Sequence, residues 1–179
     1  MSARWSLRVH TDDPAGSRRA GAAIAGVSRP GDLVFLIGGL GAGKTVIAQG
    51  FAAALGVDGP VTSPTFTLVR QYRCAAPGPV RQLLHADLYR LDHLREVADL
   101  ALFELLEEEA VALVEWGDVG APVLGESALE VSLEPKAGPT ESEGRSITVR
   151  SRGPGWADRH DALSAVLGAL GASHTSERR

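Results

Sequence analysis

The chain has 179 residues, 44% of them hydrophobic, enough for one α/β core and too few for two comfortable ones. A formal net charge of -4 argues against an independent DNA or RNA binder, which would show a broad basic excess. Cys74 is the only cysteine, which excludes an intrachain disulfide and a multi-cysteine metal site, and no apolar run approaches the length of a membrane span.

The N-terminus, MSARWSLRVH, has no apolar leader, so a soluble, cytoplasmic protein in a reduced setting is expected. Trp5, Leu7 and Val9 alternate with polar residues, as in a half-exposed strand. Asp12-Asp13-Pro14 supplies an N-cap and a proline for a helix start. Ala20, Ala23, Ile24 and Val27 then recur at helical spacing, predicting a helix over 13–28 that stops before Pro30-Gly31.

The apolar run Leu33 to Ile37 breaks off at Gly38-Gly39-Leu40-Gly41-Ala42-Gly43-Lys44-Thr45, and a helical pattern follows with Ile47, Phe51, Ala54 and Leu55 on one face. The spacing from Gly38 to Gly43-Lys44-Thr45 is that of a phosphate loop, whose glycines let backbone N–H groups turn inward around phosphate oxygens. The helix that follows points its unpaired N–H groups at the same anion. The chain holds 16 arginines and only two lysines, Lys44 and Lys136. At Lys44 a slim ammonium enters a phosphate cradle that a planar guanidinium would overfill.

Residues 61–72 open as a loop at Ser63-Pro64 and continue as a strand. Residues 82–88 form another strand, and the two are expected to pair as a hairpin. Leu91 to Glu109 reads as a helix with Leu102, Leu105 and Leu106 on its apolar face and Glu104, Glu107, Glu108 and Glu109 solvated. Ala110 to Val114 is a second wholly apolar strand, ending on Glu115-Trp116. Residues 129–133 and 147–149 alternate as a second hairpin, joined by a segment rich in Pro, Gly and Glu from 134 to 144. Leu163, Val166, Leu167 and Leu170 mark a helix beginning near Pro154.

The expected fold is therefore α/β: a single P-loop NTPase-like domain over 1–152, with a mixed β-sheet flanked by helices. An extra C-terminal helix over 153–170 and a mobile polar tail over 171–179 follow it. A triphosphate site needs Mg²⁺ held by the loop hydroxyl, here Thr45, and by an acid at a strand end. Asp87 and Glu115 stand at such ends, where ligands of open α/β sheets gather. Neither lysine is followed two residues later by Asp, so the guanine-specific signature is absent and a regulatory GTPase is not expected. A small-molecule kinase stays open as the alternative, with Arg70, Arg73, Arg81, Arg90 and Arg95 as candidate lid residues. A nucleotide-binding adaptor without catalysis is a third reading.

The ordered set GGLGAGKT (38–45), SPTFTLV (63–69), HADLYRL (85–91) and VEW (114–116) closely resembles the TsaE family, also called YjeE. These are bacterial P-loop ATPases that support formation of threonylcarbamoyladenosine next to the tRNA anticodon. The resemblance covers roughly residues 5–134, and Ser17-Arg18-Arg19-Ala20-Gly21 resembles the Thr-x-x-Leu-Gly of the family's first helix. It implies ATP and Mg²⁺ as cofactors, slow hydrolysis unless partnered, TsaD-like and TsaB-like partners, and contact with tRNA only through the complex.

Carried over by position, Lys44 would hold the β- and γ-phosphates and Thr45 the Mg²⁺. Thr65 would lie near the γ-phosphate or metal in a switch-like loop from Ser63, ordered when the γ-phosphate is present and so gating the assembly. Asp87 would be the essential acid near the metal, and Glu115 the acid that positions the attacking water or the ion. Trp116 would be the aromatic beside the nucleotide. Two positions depart from the family pattern. Gly39 replaces a usual acid. Val46 replaces a frequent hydroxyl residue, leaving its backbone N–H but no side chain for the α-phosphate.

Overall fold

The computed structural model describes residues 5–64, 68–89, 106, 109–122, 124–125, 127–136, 144–170 and 175–178. Among these residues, eight strands form one mixed sheet: β1 (Trp5–Thr11), β2 (Leu33–Ile37), β3 (Val69–Arg73), β4 (Gln82–Asp87), β5 (Ala110–Glu115), β6 (Ala128–Pro135), β7 (Arg145–Arg152) and β8 (Thr175–Arg178). Their order across the sheet is β3-β4-β5-β2-β6-β7-β1-β8. The central strands β4, β5, β2 and β6 run parallel, and both margins are antiparallel. Both hairpins expected from the alternating patterns are present, β3 with β4 and β6 with β7.

Among the described residues, four helices with full bounds accompany the sheet: α1 (Pro14–Gly26), α2 (Lys44–Ala54), the short α3 (Gly117–Gly120) and α4 (His160–Gly168). The Asp13 side chain caps α1 by accepting from the Gly16 N–H, with Pro14 at the first helical position. The parallel strands are buried on both faces, which is why β2 and β5 read as unbroken apolar runs. Leu7, Val34, Leu36, Leu83, Val111 and Leu113 form one layer with Ile24 of α1 and Ile47 and Phe51 of α2. Phe35, Leu84, Ala86, Ala112 and Val114 form the layer on the opposite face. Helices α1 and α2 approach so closely that a Cβ on Gly50 would sit 1.9 Å from the Arg18 carbonyl oxygen.

Two expectations need adjustment. The C-terminal helix begins at His160 rather than near Pro154, because Gly153, at φ 68°, and the turn around it lead into a 3₁₀ turn at Ala157–Arg159 first. That helix buries Leu163 and Leu167 against the domain and touches α1. Residues 175–178 of the expected mobile tail instead form edge strand β8 against β1, since ladder bonds use backbone groups and require no apolar side chains. The helix expected over 91–109 lies outside the described residues except for Leu106, which is helical and buried, and Glu109. So do residues 137–143 of the connection between β6 and β7. Among the described residues, no helix is long and apolar enough to cross a membrane.

Candidate functional site

The loop between β2 and α2 takes the shape its glycines permit. Gly38 adopts φ 153°, and a Cβ there would lie 2.7 Å from the Leu133 carbonyl oxygen. Gly43 caps α2 in a left-handed conformation, φ 103°, with no side chain bonded to the helix end. The positive end of α2 therefore faces the hollow of the loop, an arrangement suited to an anion. Arg145 of β7 braces the loop from outside, donating from Nε to the Ala42 carbonyl at 2.8 Å and from Nη2 to that of Gly41 at 3.4 Å. Leu40, at the loop's tip, is 87% exposed.

Lys44 reaches back along the loop. Its Nζ donates to the carbonyls of Gly38 (2.7 Å) and Gly39 (2.9 Å) and sits 4.1 Å from the centre of the Trp116 ring. Burial pushes its ammonium below the ordinary lysine value, while Glu115, Asp87 and Asp118 pull it back up. Among the described residues, Lys44 makes no ion pair with either acid.

The acids come from adjacent parallel strands in register, Asp87 beside Glu115, and both are buried. Alternation along β4 and β5 puts them on the face that carries Leu83, Val111 and Leu113 and packs against α2. Thr45 Oγ1 donates to Glu115 Oε1 at 3.1 Å, and His85 Nε2 lies 2.9 Å from the same oxygen. Ser63 Oγ donates to Asp87 Oδ2 at 2.7 Å, and the Tyr89 N–H donates to Oδ1 at 2.9 Å. Directly after Glu115, Trp116 turns the chain at φ 60°, anchored by its N–H to the Leu36 carbonyl at 2.9 Å. Its ring also meets that of Tyr89, centroids 4.9 Å apart.

The structure thus gathers the loop residues Gly38 to Thr45, both strand-tip acids and Trp116 at one end of the parallel strands. The Val46 N–H, expected to face phosphate, donates to the Gly43 carbonyl at 3.0 Å as part of the first helical turn. Thr65 lies outside the described residues, but its neighbour Ser63 is bonded to Asp87. Among the described residues, the arginines proposed as a kinase lid are not gathered in one place. Arg73 and Arg81 belong to the end of the hairpin remote from Asp87, Arg70 donates to the Thr62 hydroxyl at 2.9 Å, and Arg90 and Arg95 lie outside the described residues. Two residues emerge that the sequence reading passed over, His85 and Arg145. For His85 the signal was an imidazole inside the apolar run LLHAD; for Arg145 no local signal exists, because its contact spans 103 positions.

Comparison with known proteins points the same way. The family model described as "Threonylcarbamoyl adenosine biosynthesis protein TsaE" matches residues 11–146. The chain is 41% identical over 141 residues to the tRNA threonylcarbamoyladenosine biosynthesis protein TsaE of Streptomyces coelicolor, covering 78% of this chain and 93% of that one. It is 34% identical over 161 residues to the protein of the same name from Bacillus subtilis, covering 88% and 98%. Among solved structures it is similar to the crystal structure of Bacillus subtilis YdiB, with a TM-score of 0.67 and 28% identity over 92% of this chain and 95% of that one.

Proposed function

This chain belongs to the TsaE family, and from that premise we propose that it binds ATP with Mg²⁺ and hydrolyses it in support of threonylcarbamoyladenosine formation in tRNA. The observation that carries this reading is the meeting of Thr45 Oγ1 with the buried Glu115 carboxylate beside a lysine that pairs with neither acid. A hydroxyl, a carboxylate and an ammonium converge where the start of a helix already favours phosphate.

The donor set fits a magnesium nucleotide. Thr45 Oγ1 and Glu115 Oε1, 3.1 Å apart, are hard oxygen donors of the kind Mg²⁺ takes. Among the described residues no three His, Cys, Asp or Glu side chains form a cation cage. A magnesium nucleotide draws part of the ion's shell from phosphate and water. Thr45, Asp87 and Glu115 would hold it, and when bound it would neutralise charge between phosphate oxygens. Lys44 exchanges its two carbonyl partners for the β- and γ-phosphate oxygens. Glu115, whose Oε1 accepts from Thr45 at 3.1 Å and whose Oε2 lies 3.5 Å from the same hydroxyl, would orient the attacking water. Ser63 ties the loop ahead of Thr65 to Asp87, a route by which the γ-phosphate would order that loop and signal to TsaD-like and TsaB-like partners.

The test follows γ-labelled ATP with and without such partners. All label should appear as free phosphate. Glu115→Gln and Asp87→Asn should still bind nucleotide while turnover falls about a hundredfold or more. Label on an acceptor molecule, or unchanged turnover in both variants, overturns the proposal.

A further inference from the structure

His85 has no solvent exposure and sits in β4 on the face that packs against α2, among aliphatic side chains. An apolar residue would fill that layer without burying polar nitrogens. The imidazole stands there although its Nδ1 has no hydrogen-bond partner among the described residues, an unfavourable state for a buried polar atom. Only Nε2 is engaged, 2.9 Å from Glu115 Oε1. Against a carboxylate oxygen the favourable tautomer carries its hydrogen on Nε2, which makes this a charge-assisted bond and leaves Nδ1 as an unpaired acceptor.

Two donors therefore converge on one oxygen of Glu115, Thr45 from α2 and His85 from the neighbouring strand. Their directions fix the plane of the carboxylate and with it the direction of Oε2. Register reinforces the arrangement: Asp87 pairs with Glu115 across β4 and β5, so the imidazole two residues earlier lies on the same face, one pleat back from both acids.

We infer that His85 is a positioning residue, an imidazole donor that holds Glu115 in the rotamer needed to meet the bound cation and the attacking water. This rests on the magnesium nucleotide reading of the site. The role differs from core packing in one respect: it resides in a single N–H at the Nε2 position.

Three replacements separate the two roles. His85→Gln places an amide N–H near the Nε2 position, His85→Asn places it near Nδ1 and out of reach of Glu115, and His85→Leu places none. For each, ADP affinity is measured without Mg²⁺, then the Mg²⁺ concentration at half effect, then kcat and KM for ATP. The metal-free affinity should stay within about twofold in all three. In the Asn and Leu chains the Mg²⁺ midpoint should rise and kcat fall by about tenfold to a hundredfold, the range for residues that orient metal ligands. KM should move little, and Gln should restore both quantities to within about threefold. In nucleotide-free wild-type protein, two-bond ¹H–¹⁵N spectra should place the imidazole proton on Nε2.

A Leu chain with the wild-type Mg²⁺ midpoint and kcat overturns the inference. So does a Gln chain that falls as far as Leu, or a proton found on Nδ1. If Leu fails to fold, the Asn and Gln pair decides alone. Wild-type protein whose nucleotide binding ignores Mg²⁺ overturns the site reading and this inference with it, whereas a Mg²⁺-responsive wild type matched by the Asn chain overturns this inference only.

Discussion

Strand β2 has a buried cluster of charged groups at each end, and the two are built on opposite principles. At its start, Asp32 accepts from the Arg29 N–H at 2.6 Å and takes two bonds from the Arg159 guanidinium, which also reaches the Gly155 and Val27 carbonyls and lies over the Trp156 ring. At its finish, Lys44 bonds to carbonyls while Asp87 and Glu115 bond to hydroxyls, a backbone N–H and an imidazole. Burial is alike: Asp32, Arg159, Lys44, Asp87 and Glu115 are all between 3% and 7% exposed. What differs is whether opposite charges close on each other. Where they do, the cluster ties the C-terminal segment to the sheet. At the other end Lys44 bonds carbonyls and Glu115 a hydroxyl and an imidazole, so the ammonium and the Glu115 carboxylate stay apart and the ammonium is available to a ligand.

The largest expected effect breaks the closed cluster. Arg159→Leu leaves the Asp32 carboxylate buried without its counter-ion, which should lower unfolding free energy by about 3–5 kcal/mol in urea titrations. ADP affinity of the folded fraction should be unchanged, since the pair sits at the strand end remote from the phosphate loop. A loss below about 1 kcal/mol would mean that the pair is not the clamp its geometry describes.

The open cluster should give the reverse pattern. Lys44→Ala removes charge-assisted contacts worth up to about 3 kcal/mol to phosphate, a loss of roughly a hundredfold in affinity by isothermal calorimetry. Its melting temperature should hold or rise. The folded chain keeps this proton less tightly than the unfolded chain, because burial lowers the Lys44 value from the ordinary 10.5. The charge therefore opposes folding at every pH below the folded value, and the penalty fades as pH rises toward 10.5. A Lys44→Ala protein that is markedly less stable would erase the contrast between the two ends.

The open cluster was also the more legible of the two in the sequence. A phosphate loop is written in nearly consecutive residues, since Gly38, Gly41 and Gly43 each answer a local backbone demand, and Glu115 directly follows an apolar run. The closed cluster was invisible, because Asp32 and Arg159 lie 127 positions apart and meet only through the path of the C-terminal segment. His85 falls between these cases: its strand was foreseen, but its contact with Glu115 depends on the register of β4 against β5. Strand β8 escaped for a related reason, as its pairing is made by backbone groups of a polar segment carrying no hydrophobic signal.

The smallest expected effect asks how far the open cluster depends on support from outside it. Arg145 enters from the antiparallel half of the sheet and bonds the Ala42 and Gly41 carbonyls, so it holds the loop through backbone acceptors. Its donors keep those carbonyls turned outward, which favours the inward direction of the neighbouring N–H groups. Arg145→Ala should therefore weaken nucleotide binding by about threefold to tenfold, the scale of one partly exposed charged hydrogen bond. Turnover at saturating ATP should persist, because the ligand's own contacts reimpose the loop shape once it is bound. Arg145→Lys should recover little of the loss, since an ammonium lacks the fork that spans both carbonyls. Equal losses in affinity and saturated turnover would mean that Arg145 acts on the reacting end of the nucleotide, and the division between a braced wall and a ligand-completed hollow would have to be redrawn.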